Sequence, residues 1–202
     1  MLTTRCSFVL ILLFVAASVA VHPAQPSFDP IDVALSYYMN GALGWLLGVG
    51  LISLGAGSLL LGVALRADRR EGVSIAGLML LGVWAVGCVI GGLFPPDPYG
   101  QWSRPPSTSG LVHGVAAMAA FVCFPGAAIA LSRKLSVRLQ WVAGVCALMT
   151  VLLFLCLAPV FQHRPPYAFG LVERVALGCD VGWLLMANIT GLLGRGRRPS
   201  GS

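Results

Sequence analysis

Apolar stretches separated by short polar ones account for almost the whole chain. They run over roughly residues 6–21, 39–65, 72–94, 110–131, 139–160 and 169–193. All but the first are long enough to cross a hydrocarbon core, which takes about 20 residues of helix. The first is shorter. Its form, Arg5 followed by an apolar run ending in Ser18-Val19-Ala20, is also that of a cleavable secretory signal. The regular alternation of the remainder favours retention of this segment, and six spans return both termini to one side. The pattern therefore predicts an all-α polytopic bundle of six transmembrane helices. Residues 1–194 form the single domain, and 195–202 a short basic tail.

Composition agrees with this reading. Of the 202 residues, 57% are hydrophobic and 10% charged, against about 25% charged in a soluble domain. The 25 glycines lie largely inside the apolar runs, where small residues let helices approach closely. The net charge of +6 does not indicate a nucleic-acid partner, because the basic residues sit in short loops rather than in a basic stripe. Their distribution sets the orientation. Arg5, Arg66, Arg69, Arg70, Arg133, Lys134, Arg138, Arg195, Arg197 and Arg198 share one side, whereas the loops of the other side hold only Arg104 and Arg164. Both termini are therefore expected in the cytoplasm. Twelve arginines to one lysine, with abundant Ala, Gly and Pro, is the usage of a GC-rich genome, so a bacterial plasma membrane is expected. The six cysteines all fall within apolar runs and form no CxxC pair, so they read as small apolar fillers rather than as disulfides or zinc ligands.

Polar residues are scarce enough to be followed individually. In "GGLFPPDPYGQWSRPPSTSGLVHG" (91–114), Pro95 and Pro96 stop the third span and leave Asp97 at the outer surface. Ser107 or Ser109 is placed to cap the fourth span. His113 then lies about one turn inside, about 5 Å deep. The start of this span is echoed 60 residues later. "RPPSTSGLVHGVA" (104–116) and "RPPYAFGLVERVA" (164–176) agree at eight of thirteen positions, and His113 aligns with Glu173. The two should lie at equal depth. Asp180 falls about 15 Å into the last span, near the middle of the core, on the same helix face as Glu173. An acid there is costly and owes a partner or a function.

Asp97, His113, Glu173 and Arg174 are thus expected to form one polar cluster beneath the outer surface, with Asp180 as a separate intramembrane acid. Each has a plainer role open to it. Asp97 fits a turn, His113 a hydrogen bond between helices, Glu173 and Arg174 local charge compensation, and Asp180 a neutral acid or a partner of Asn188. The chain has no HExxH, phosphate-binding loop, dinucleotide fingerprint or GxSxG. No cofactor and no metal is expected. His22, His113 and His163 belong to three separate outer segments.

"FPPDP" (94–98), the early His113 and the Glu173-Arg174 pair together resemble the bacterial and archaeal membrane family catalogued as domain of unknown function 998. "LSYY" (35–38), just before the second long span, is similar to the same region of that family, with Tyr37 where an acid would be expected. The resemblance covers about residues 8 to 193. It implies six helices and points to the same outer residues, with no established activity. The expected function is binding of a membrane lipid or a membrane protein partner by the outer cluster. The alternatives are an enzyme acting on a lipid or lipid-linked group through His113 with Asp97 or Glu173, and a small proton-coupled transporter using Glu173 and Asp180.

The charge bias predicts a labelling pattern in a cysteine-free background. Single cysteines at positions 100 and 162 should react with an impermeant reagent in intact cells. Cysteines at 69, 133 and 197 should react only after lysis. Labelling at 100 only after lysis would reverse the orientation.

Overall fold

The computed structural model describes residues 2–67, 73–101, 104–133, 135–162 and 166–196. Among them are six α-helices and no strand: α1 (Leu2–Ala20), α2 (Gly44–Ala67), α3 (Ile75–Leu93), α4 (Thr108–Ser132), α5 (Val137–Leu157) and α6 (Phe169–Gly196). Helices adjacent in sequence pack side by side, and α6 returns against α1 to close a ring. α1 to α4, and α5 with the turn that follows it, are long and apolar enough to cross a membrane. α6 is also long, but Glu173, Arg174 and Asp180 fall within its first twelve residues. Asp68, Arg69, Arg70, Glu71, Lys134, His163, Arg164, Arg197 and Arg198 lie outside the described residues.

Three boundaries differ from the sequence reading, each for a local reason. The span expected from residue 39 divides into a 3-10 helix, Leu35–Asn40, and α2 from Gly44. A side chain at Gly44 would strike the Met39 carbonyl, so the chain turns sharply between the two helices. α5 ends at Leu157 rather than 160 and passes into a second 3-10 helix, Ala158–Gln162. Pro159 has no amide with which to continue the α-helical ladder. α6 runs on to Gly196 and takes in the first residues of the expected tail. Serines begin three helices. Ser74, Ser107 and Ser136 accept hydrogen bonds from the amides of Gly77, Gly110 and Leu139, which satisfies donors that a helix start leaves open.

The centre of the bundle is aromatic. Trp84 of α3, Phe124 of α4 and Trp183 of α6 stack in sequence, with ring centroids 4.6 and 5.8 Å apart. Each indole N–H has a hydroxyl partner: Trp84 donates to Ser58 at 3.1 Å and Trp183 to Ser132 at 2.8 Å. Without those partners the N–H groups would be stranded away from water. Trp45 and Trp141 are exposed near the first turns of α2 and α5, as suits residues at a membrane interface. Inside α4, Pro125 leaves the Phe121 carbonyl without its helical donor, and the Thr150 hydroxyl of α5 reaches that oxygen at 3.4 Å.

Glycines on α3 separate packing from exposure. A Cβ at Gly87 would lie 2.7 Å from the Ala116 carbonyl oxygen and 2.9 Å from the Ala120 Cβ, whereas a Cβ at Gly82 meets nothing within 4 Å. Gly87→Ala should therefore destabilise the bundle by about 1–3 kcal/mol through overpacking. Gly82→Ala should be neutral or stabilising by up to about 1 kcal/mol through helix propensity. Unfolding of the two variants in the same detergent tests the contrast, and equal effects would refute the close α3–α4 approach.

Candidate functional site

Two polar anchors stand at the outer end, one at the start of α4 and one at the start of α6. At the first, His113 Nδ1 lies 2.8 Å from the Phe94 carbonyl oxygen and 3.2 Å from that of Gly91. Carbonyls only accept, so Nδ1 carries the hydrogen, and in the neutral ring Nε2 is an acceptor. The imidazole thereby satisfies carbonyls at the end of α3 that have no helical partner. Asp97 accepts the Ser107 amide at 3.0 Å, at the end of α4 where the helix dipole favours an anion. A Cβ at Gly110 would strike the same carboxyl oxygen, so the glycine leaves open the space that the Asp97 side chain takes. Ser109 donates to the Pro95 carbonyl at 2.8 Å and Asn40 to that of Pro96 at 3.1 Å.

The second anchor repeats the device. Asp32 accepts the Ala168 amide at 3.1 Å, and Gly170 admits the Val33 and Pro30 carbonyls where a Cβ would clash. Glu173, one turn further on, accepts the amides of Leu35 and Ser36 at the start of the 35–40 turn. Arg174 takes carbonyls of the same segment. Its Nη1 donates to Pro30 and Val33 at 2.9 and 2.8 Å, and to Gly170 of its own helix. Its Nε donates to His22 Nε2 at 3.1 Å, and its guanidinium lies 5.4 Å over the Tyr38 ring. The other His22 nitrogen is 2.6 Å from the Ser18 carbonyl oxygen. The echo now has a physical content. In both copies a glycine in the first turn admits a loop, an acid from that loop meets the helix start, and the residue one turn on holds further loop backbone.

Asp97, His113 and Glu173 line one cavity of about 600 Å³ between α4, α5 and the start of α6. Each has hydrogen bonds to backbone rather than to the others. Arg174 is directed away, to the 22–38 segment. Arg104 and Gln101 stand exposed at the mouth, while Met118 and Phe121 of α4 and Leu153 and Leu157 of α5 line the interior. An inner chamber of about 60 Å³ shares Ser36, His113 and Glu173 with the large cavity and extends to Trp84 and Cys88. Tyr37 also lines the large cavity. Burial first, then the charges of Glu173, Tyr99 and Asp97, hold its hydroxyl well above its ordinary value. Asp180 is apart from this site, 0% exposed, beside Cys88, Cys146 and Cys179. Among the described residues no His, Cys, Asp or Glu side chains gather as metal ligands do.

Sequence reading did not find the contributions of His22, Asp32 and Tyr37. For Asp32 a signal existed, since the echoed Gly170 marks a close approach of some loop. Nothing in the sequence said that the loop would be 30–36.

Sharing one segment should couple Glu173 and Arg174. Glu173→Ala and Arg174→Ala should each destabilise the protein, and the double variant should depart from additivity by about 0.5–3 kcal/mol. His113→Ala and Glu173→Ala hold different segments and should add to within about 0.5 kcal/mol. Denaturation of the four variants and their pairs in one detergent tests both cycles. An additive Glu173–Arg174 pair would refute the shared anchor.

No curated protein and no solved structure matches the chain. A family model matches residues 8–190, nearly the whole polypeptide. It is the model described as protein of unknown function, DUF998, and the chain belongs to that family.

Proposed function

We propose that this is a six-span protein of a bacterial plasma membrane, with both termini cytoplasmic, whose outer cavity binds a membrane lipid. α6 is the sixth span. Glu173, Arg174 and Asp180, within its first twelve residues, all face protein, since Glu173 and Arg174 hold backbone and Asp180 is fully buried. The observation that carries the reading is the two-part lining of the large cavity. Arg104 and Gln101 stand exposed at its mouth, Asp97 and Tyr37 are half-buried in its wall, and aliphatic and aromatic side chains of α4 and α5 complete the lining. Its volume of about 600 Å³ falls within the roughly 300–1,000 Å³ range of small-molecule sites. A headgroup fits the polar part, and a chain fits the apolar part.

Lipid binding has more support than catalysis through His113. A general base is oriented by a carboxylate or a similar group and left free to take a proton. Here His113 Nδ1 is committed to the Phe94 and Gly91 carbonyls. Its remaining nitrogen, Glu173 and Asp97 offer acceptors to the hydroxyl or ammonium groups of a headgroup.

Filling the cavity provides the test. Ala117 lines both the large cavity and the inner chamber, whereas Val122 is 59% exposed on the outside of the same helix. Ala117→Trp should weaken binding of a fluorescent lysophospholipid at least about tenfold, or about 1.4 kcal/mol. Val122→Trp should leave it unchanged. Equal binding by both variants would remove the cavity as a lipid site and leave Asp97, His113 and Glu173 with structural roles alone.

A further inference from the structure

One face of α6 carries Glu173, Asp180 and Asn188, each at most 6% exposed. They extend over about 22 Å of helix at 1.5 Å per residue. Glu173 is satisfied by the amides of the 35–40 turn. The other two are not. Neither carboxyl oxygen of Asp180 nor the side-chain oxygen of Asn188 has an N–H or O–H partner, while the Asn188 amide nitrogen donates to the Leu184 carbonyl at 2.9 Å. The unmet atoms of these two residues are all acceptors, and what they lack is a donor or positive charge.

The groups around Asp180 supply it only weakly, through the S–H of Cys146. Those that face it are thiols: Cys88 of α3, Cys146 of α5 and Cys179 of α6 itself. The basic groups of the other helices packed on α6 lie toward helix ends. Arg5 is in the first turn of α1, Arg66 in the last turn of α2, Arg138 in the first turn of α5, and His113 near the start of α4. Arg174 is committed to the 22–38 segment. An ionised carboxylate with one weak thiol donor and no cation is strongly disfavoured in such a place. Hard metal cations require about six or more oxygen ligands, which thiols do not provide. A proton needs only one oxygen.

We propose that Asp180 is an intramembrane proton-binding site, which holds its proton at neutral pH and exchanges it with the outer side. The route is the inner chamber. It begins at His113 and Glu173, where it adjoins the large cavity, and extends to Cys88 and Leu177, the latter three residues before Asp180 on α6. Its volume of about 60 Å³ admits a few waters at roughly 10–15 Å³ each. In the exchange, the O–H bond of the Asp180 carboxyl breaks and a new one forms on a chamber water. The positive charge leaves with the proton, and the return step restores the neutral acid. This site is independent of lipid binding in the outer cavity, so either reading can fail alone.

Infrared difference spectra of the full chain in liposomes, wild type minus Asp180→Asn, test the proposal at neutral pH. The wild type should show a protonated-carboxyl stretch that the variant lacks, and the band should shift when the buffer is changed to D2O. Identical spectra, or loss of ionised-carboxylate bands instead, would overturn the site. A band indifferent to D2O would overturn the exchange. Should Asp180→Asn fail to fold, Asp180→Glu displaces the same band and serves in its place. Gly91→Leu tests the route, because a Cβ at Gly91 makes ordinary contact with His113, 3.8 Å from Cε1, and a longer side chain fills the chamber. It should slow deuterium exchange several-fold, and an unchanged rate would refute the chamber as the path.

Discussion

The bundle closes because two adjacent residues of α6 hold opposite halves of the same backbone. Glu173 takes amides at Leu35 and Ser36, and Arg174 takes carbonyls at Pro30 and Val33. Irregular backbone tolerates burial only when its hydrogen bonds are met by something other than water. Segment 29–34 is irregular, and its residues 33 and 34 are buried. The Leu171 amide adds a bond to the Ile31 carbonyl at 2.9 Å. The connection between α1 and α2 is thereby fastened to the last helix of the chain, and the ring is completed through it. The same fastening positions Ser36 and Tyr37 as one wall of the outer cavity.

Charge economy explains why so few polar residues suffice. Asp97, His113 and Glu173 each hold loop backbone and also border the cavity. A group fixed in this way presents its remaining lone pairs at a defined angle, because its own rotamer is already determined. Structural and binding uses are therefore compatible in one side chain, and the residues singled out in the sequence are not obliged to choose between them.

Helices were legible because lipid imposes long apolar runs, and the six runs differ from the observed helices by only a few residues. The exceptions are the 35–40 turn and the break at Pro159, where local backbone chemistry, not hydropathy, decides. The echo aligned His113 with Glu173, and in both copies the glycine and the residue one turn later receive a loop together. The direction of Arg174 was not legible. Successive helical residues point about 100° apart, and which loop lies in each direction depends on the closing of the ring. Nor does a sequence show whether a buried acid finds a partner, so the isolation of Asp180 emerged only from the packed bundle.

Pro125 gives α4 one rung fewer than its neighbours, and the missing rung is at Phe121, whose ring lines both the outer cavity and the inner chamber. Thr150 restores that rung only at 3.4 Å and from another helix. A helix bends most readily where its ladder is interrupted. The compliant turn of α4 is therefore also the shared wall of the two spaces. The partition between a wide opening and a narrow interior is thus softest where a ring, rather than backbone, stands between them.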